Sequence, residues 1–404
     1  QFDLYAAGEI PVQFGGRVMP LAAYAQQTLK AISNRSALSL EDAPGAIRDR
    51  VAGAKKLSPM AWLMEVAIDD ERIDDLQMIR IDASEVRDEL NLEKRKSKLF
   101  TINEIRRELN RFTELTEAAA QKEPRDQSFK EKKLLELDRR IRAFTMTATA
   151  FRLPVPMEIP AHLFPEGTSE MQRRMFAVQQ LQNRMQAVER MTSPGIVPPP
   201  SDILAQSQDV PKWSAFGPAF FDVAMKGATG ETVERVGVDT FAEMITAYND
   251  KDPQKFNEAV DAHLAGLKTL EGAGYSPWKV ALERWDESNS PTTVAMVLYF
   301  IALALGCLYL IADLPRLRSG VWGILLVALT IHTLVLLSRI IITGRAPVIN
   351  LYSSAVFIGW AGVIFGIVQE RIFRYGEGNL LAGGSGVLAL LVAYGLSSGD
   401  TMPV

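Results

Sequence analysis

Apolar residues recur along this 404-residue chain in two distinct ways. Before Pro291 they stand at helical spacing among many charged residues; after it they run almost unbroken. Residues 10–22 read as a short strand pair or extended segment turning at Gly15-Gly16, a dipeptide that readily takes positive φ. From Met19 to Ile32, the residues Leu21, Ala22, Ala25, Leu29 and Ile32 mark one helix face. Ser58-Pro59 supplies an N-cap and a first-turn proline for a helix carrying Trp62, Leu63 and Val66. Partial alternation over Leu76–Asp82 suits one strand, so any sheet here is small. Leu99, Ile102, Ile105, Leu109 and Phe112 line one face. After a polar break at Lys122–Gln127 the pattern resumes with Leu134, Leu135, Leu137, Ile141 and Phe144, which predicts two long antiparallel helices.

Residues 153–166 are Pro-rich and irregular, and Ser169–Met191 is an amphipathic helix. Thr192–Pro218 holds six prolines and reads as a linker or as an extended arm lying on the domain. Thr232–Tyr248 and a helix from Asp252-Pro253 to near Gly272 form an αα-hairpin. Ser276-Pro277 then caps a helix with Trp278 and Trp285 on one face. That face fits either a membrane interface or a soluble core.

Four apolar segments follow, about 293–314, 321–343, 351–369 and 380–396. The first three reach the roughly 20 residues that cross about 30 Å of hydrocarbon. The fourth is shorter and glycine-rich, which suits close packing, and Gly362 and Gly366 give the third a small-residue face. The predicted fold is therefore mainly α. A helical domain over 1–290, with at most a small β element, precedes a four-helix transmembrane segment over 291–404. Arg316 and Arg318 in a loop Pro315–Gly320, and Arg371 and Arg374 in a loop Glu370–Asn379, mark one side as cytoplasmic. Residues 1–290 and the Gly344–Asn350 loop then face the other side.

Charge and cysteine content narrow the function. A net charge of −4 argues against a nucleic-acid partner. The mixed charges of 94–111 serve either a solvated helix face or a partner-binding surface. A single cysteine, Cys307, leaves no disulfide framework and no Cys-x-x-Cys pair. The chain also lacks Gly-x-Ser-x-Gly, His-Glu-x-x-His and a glycine-rich phosphate loop, so a hydrolase has little support. It begins without Met, carries no visible signal peptide and stops just after an apolar stretch, which is the expectation for a fragment.

The candidate chemistry lies on the second apolar segment. His332 falls near its middle, where an ionisable residue is a functional hypothesis by default. Arg339, seven residues on, shares its face to within roughly 20° and sits about two turns nearer the segment's end. A neutral imidazole nitrogen can ligate haem iron, and an arginine can pair with a carboxylate. The alternative is a histidine hydrogen-bonded to another helix beside an arginine that snorkels to the headgroups. At the segment's end Pro347 forces a helix break, Asn350 can cap the next helix, and Arg345 and Tyr352 suit a membrane–water boundary.

The run Ile341-Ile342-Thr343-Gly344-Arg345-Ala346-Pro347-Val348-Ile349-Asn350-Leu351-Tyr352-Ser353-Ser354, followed by Phe357-Ile358-Gly359-Trp360, resembles the signature of CcsA-type (system II) cytochrome c assembly proteins. Many members have Gly-His at Gly344-Arg345 and Tyr-Glu at Tyr352-Ser353, so a role attached to that His or Glu does not carry over. Ile10-Pro11-Val12-Gln13-Phe14-Gly15-Gly16-Arg17-Val18-Met19-Pro20-Leu21 is similar to a segment of larger fused members, in which a soluble domain precedes the membrane part. The resemblance implies a protein of the bacterial inner membrane with residues 1–290 in the periplasm. It would handle haem for covalent attachment to apocytochrome c, within a synthase system and alongside other assembly proteins. The implied cofactor is haem, with His332 as candidate iron ligand and Arg339, Arg345, Asn350 and Tyr352 around it. The Trp-rich haem segment of that family is absent: the six Trp are scattered. A membrane transporter or scaffold whose outer domain docks partners, without haem, is the competing expectation.

Overall fold

The computed structural model describes all of the chain except residues 52, 69–70, 156–163, 166–167, 192, 201–210, 232–234, 269–275, 313–314, 344–345, 347, 349–350 and 398–404. The chain divides into two units, Gln1–Pro277 and Trp278–Val404. The helix begun by Ser276-Pro277 therefore groups with the apolar helices.

In the first unit, a short helix α1 (Leu4–Ala7) leads into strands β1 (Pro11–Phe14) and β2 (Arg17–Pro20), paired antiparallel from Pro11↔Pro20 to Phe14↔Arg17. Gly15 and Gly16 both hold positive φ, 61° and 80°, the conformation a two-residue hairpin turn with primed geometry requires. The free edge of β1 is covered by the expected arm. Gln13 pairs with Gly195, its side-chain amide donates to Pro211 O (3.0 Å), and its Oε1 accepts from Trp213 N (2.7 Å). Gly195 permits this approach, since a Cβ there would lie 2.5 Å from Trp213 O. Of the two alternatives, linker and arm, the described part is an arm.

Helix α2 (Leu21–Ser33) buries the predicted face, and its Tyr24 hydroxyl meets Thr147 Oγ1 at 2.7 Å. Strand β3 (Leu38–Ser39), helix α3 (Gly45–Arg50), strand β4 (Lys56–Leu57) and helix α4 (Pro59–Ala67) follow. Ser58 caps α4 by accepting from Ala61 N, and α4 is buried along its whole length with Trp62 at the centre. The predicted strand is only β5 (Ile79–Arg80). Helix α5 (Ser84–Glu89) separates it from its antiparallel partner β6 (Leu99–Phe100).

The first of the two predicted long helices is split into α6 (Ile102–Arg107) and α7 (Leu109–Ala120), because Glu108 leaves the helical region at φ −105°, ψ 21°. The two pieces serve different neighbours. Arg106 and Asn103 of α6 reach Asp74 and Asp75 at 2.7 Å each, whereas α7 packs along α8 (Phe129–Phe151). One straight helix does not reach both. Capping boxes start α6 (Thr101, Glu104), α8 (Ser128, Glu131) and α9 (Glu170–Arg190, with Ser169 and Gln172). Helices α10 (Phe216–Ala228), α11 (Val238–Asn249) and α12 (Pro253–Lys268) complete the unit, the last two as the expected hairpin.

The second unit holds α13 (Pro277–Asn289), α14 (Pro291–Ala312), α15 (Pro315–Thr343), α16 (Leu351–Phe373) and α17 (Glu377–Ser397). Among the described residues, α14 to α17 are the four helices long and apolar enough to cross a membrane. The predicted loop Pro315–Gly320 is instead the start of α15. Pro315 stands at its first position, where a missing N–H costs nothing. The predicted small-residue face is where α16 meets α17. A Cβ on Gly359 would lie 2.3 Å from Ala389 Cβ, and one on Gly366 2.5 Å from Ala382 N. Backbones this close gain dispersion contacts along their length, which holds helices together where lipid removes the hydrophobic drive.

Candidate functional site in the apolar bundle

Polar groups inside the second unit cluster at three levels along the bundle. At the middle level His332 is fully enclosed on α15. Its Nε2 lies 3.2 Å from Val356 O on α16, and its Nδ1 lies 3.3 Å from the Tyr299 hydroxyl on α14. A carbonyl oxygen only accepts, so Nε2 carries a proton and donates to Val356. In the neutral ring the Nδ1 lone pair then accepts from Tyr299. The two rings meet edge to face, centroids 5.8 Å apart. Tyr299 in turn rests on Gly386 of α17, where a Cβ would approach its ring to 2.6 Å. One residue along α15, Thr333 Oγ1 accepts from Trp360 Nε1 at 2.9 Å. Three helices thus meet at the imidazole, and α17 backs its tyrosine partner.

The second level lies about 10 Å further along α15. Here the Arg339 guanidinium stacks 4.5 Å above the ring of buried Tyr352. Asp286 of α13 lies close enough to feel its charge. Burial raises the Asp286 carboxyl above its usual range, and Arg339 opposes the rise. The third level is at the opposite end of α15. Arg318 Nε donates to buried Glu370 at 2.7 Å, and Glu370 Oε2 accepts from Gly376 N at 2.8 Å. Beside it on α17, Asn379 is enclosed, and its side-chain oxygen and nitrogen have no hydrogen-bond partner among the described residues.

Of the sequence-predicted set, the structure brings together Arg339 and Tyr352, while His332 stands about 10 Å away along α15 among other partners. Arg345 and Asn350 lie outside the described residues. Sequence reasoning missed Tyr299, Asp286, Glu370 and Asn379. Helical continuation would have found Glu370: at 100° per residue it is seven residues from Val363, on the buried face of α16. Asp286 and Tyr299 carried no local signal, because their partners lie on other helices. Among the described residues, no group of three or more His, Cys, Asp or Glu stands close enough to hold a metal ion.

Comparison with known proteins gives no matching family model and no matching curated protein.

The residues can still be tested against haem. A metal-bound histidine characteristically donates its other ring N–H to a carbonyl or carboxylate, which fixes the ring. His332 already makes that bond, through Nε2 to Val356 O. The remaining lone pair, on Nδ1, accepts a 3.3 Å hydrogen bond from the hydroxyl of buried Tyr299. The donor chemistry of the imidazole therefore fits an iron ligand, with the Tyr299 hydroxyl now standing where iron would bind.

Proposed function

We propose that this chain handles haem for cytochrome c maturation, with the four-helix unit as the haem-handling part. The observation that carries the reading is the enclosed His332, oriented by a carbonyl through one nitrogen and with the lone pair of the other held by the Tyr299 hydroxyl. Bound haem would supply iron for axial ligation and vinyl groups for thioether formation with an apocytochrome c. His332 Nδ1 would hold the iron, and Arg339 is the group suited to a propionate carboxylate, with Tyr352 keeping its plane fixed. On this reading the membrane is the bacterial inner membrane, residues 1–290 face the periplasm, and apocytochrome c and other assembly proteins are the partners. The resemblance in residues 341–360 and 10–21 supports it, and so do the four candidate membrane spans.

The test is spectroscopic. The full protein, purified from membranes, should carry a Soret band. His332→Ala should shift or abolish that band, with partial recovery on added imidazole, because no Met or Cys lies in 321–343 to replace the ligand. Tyr299→Phe should raise haem occupancy by freeing Nδ1. A His332→Ala protein with unchanged spectrum and occupancy makes His332 a packing residue. Sidedness is tested separately, in a Cys307→Ser background. Cysteine at exposed Ser319 should resist a membrane-impermeant thiol reagent in intact cells, and cysteine at exposed Ala346 should react. The reverse pattern overturns the orientation.

One observation favours a second reading, a transporter or scaffold without haem. Both ring nitrogens of His332 are already engaged by protein groups. In that reading the histidine is a hydrogen-bond node that fixes three helices, and no Soret band accompanies the protein.

A further inference from the structure

Helix α13 carries two large aromatic side chains that nothing in the haem reading uses. Trp278 and Trp285 are 57 % and 51 % exposed, whereas Val280, on the opposite side of the helix, is buried. Seven residues apart, the two indoles stand within about 20° of each other around the axis. Lys279 Nζ lies 5.8 Å from the Trp278 ring centroid, so the face pairs broad apolar rings with a cation.

We propose that α13 lies in the headgroup layer of the bilayer, with its Trp278–Trp285 face turned into the lipid. Two independent markers set its depth. The first is the chain itself. Only Ser290, in the left-handed region at φ 44°, separates the end of α13 at Asn289 from the start of α14 at Pro291. That residue turns the chain sharply at the very end of an apolar helix, so α13 starts where hydrocarbon ends. The second marker is Asp286, about a quarter turn from the Trp face, which feels the charge of Arg339. Arg339 stands four residues from the end of α15 at Thr343, about 6 Å along its axis. Both markers put α13 at the end of the spans and not along their middle.

At that depth the chemistry of the face selects lipid as its occupant. Indole rings concentrate at the membrane–water boundary because the body is apolar while the N–H keeps a polar partner. A partner protein covering the same rings would have to reach into the headgroup layer to do so. The proposal does not depend on haem; it requires only that α14 to α17 cross a membrane.

The experiment uses the full chain in phosphatidylcholine vesicles. The contribution of the two indoles is the emission lost between the parent protein and the variant Trp278→Phe/Trp285→Phe. That difference emission should be blue-shifted relative to tryptophan in water. A lipid nitroxide near the headgroup should quench it more than one at mid-chain, and aqueous iodide should quench it little. Quenching by iodide but by neither nitroxide means that the face is in water and overturns the proposal. Quenching by none of the three means that protein covers the face, a second copy included, and overturns it equally. The single variants Trp278→Phe and Trp285→Phe give the same difference piecewise should the double variant fail to insert.

Discussion

Glu65→Ala is expected to cost the first unit about 3–5 kcal/mol, among the largest single losses available in this chain. Glu65 is 1 % exposed at the heart of the domain. Its carboxylate accepts from Arg50 of α3 at 2.6 and 3.0 Å and from the Tyr248 hydroxyl of α11 at 3.2 Å. Two neighbouring helices, α3 and α4, and the distant α11 are tied through one side chain. Removing it leaves the Arg50 guanidinium buried without its counter-ion, and a stranded charge costs more than the pair ever contributed. Burial, with the nearby Glu65 charge, holds the Tyr248 phenol well above its ordinary range, so it stays protonated and donates. The combined variant Arg50→Met/Glu65→Leu/Tyr248→Phe should recover most of the loss, because apolar groups of similar volume need no partner. Hydrogen exchange of α4 and α11 amides in the full protein reads both values. A triple variant as unstable as Glu65→Ala would show that the network contributes more than its own desolvation.

The same residue shows what a sequence carries and what it hides. Glu65 sits in a helix whose cap and apolar content were legible from Ser58-Pro59, Trp62, Leu63 and Val66. Nothing local marked it as buried, because its partners stand 15 and 183 positions away. The spans were legible for the opposite reason: hydrophobic length is a local property. Gly362 and Gly366 announced the α16–α17 seam, since small residues at that spacing have few other uses in an apolar helix. His332 was visible as an ionisable residue at mid-segment, but Tyr299 and Val356, which decide its tautomer, come from other helices. The Arg318 loop was misread because a basic stretch between apolar segments looks alike whether it is coil or the first turns of the next helix. The arginine, on the first turn of the helix, reaches Glu370 at 2.7 Å.

His263 supplies the expected pH response. It is buried on α12, its Nδ1 meets Thr240 Oγ1 at 2.9 Å, and its Nε2 has no hydrogen-bond partner among the described residues. Gly237, at φ 92°, presses on it so closely that a Cβ there would lie 2.9 Å from His263 Cε1. Burial pushes the imidazole down from 6.5 to about 4. The sign follows from linkage. Above pH 6.5 the ring is neutral in both states and the domain has its full stability. As the pH falls from 6.5 toward 4, the unfolded chain takes up a proton that the folded one refuses, and stability drops. The shift corresponds to about 3 kcal/mol lost across that window, after which the slope levels off. Glu89 is held low by Lys130 and Arg111, and Glu131 is pushed down to about 2 by Lys122 and the Ser128 backbone, so both release their stabilisation below about pH 4.5. His263→Leu removes the titrating ring and the unpartnered Nε2 together. Exchange-derived stability of α11 and α12 in the full protein should then be nearly flat between pH 6.5 and 4.5, while the parent falls steeply. Equal slopes in the two proteins would mean that the imidazole gains a proton in the folded state without opening its pocket.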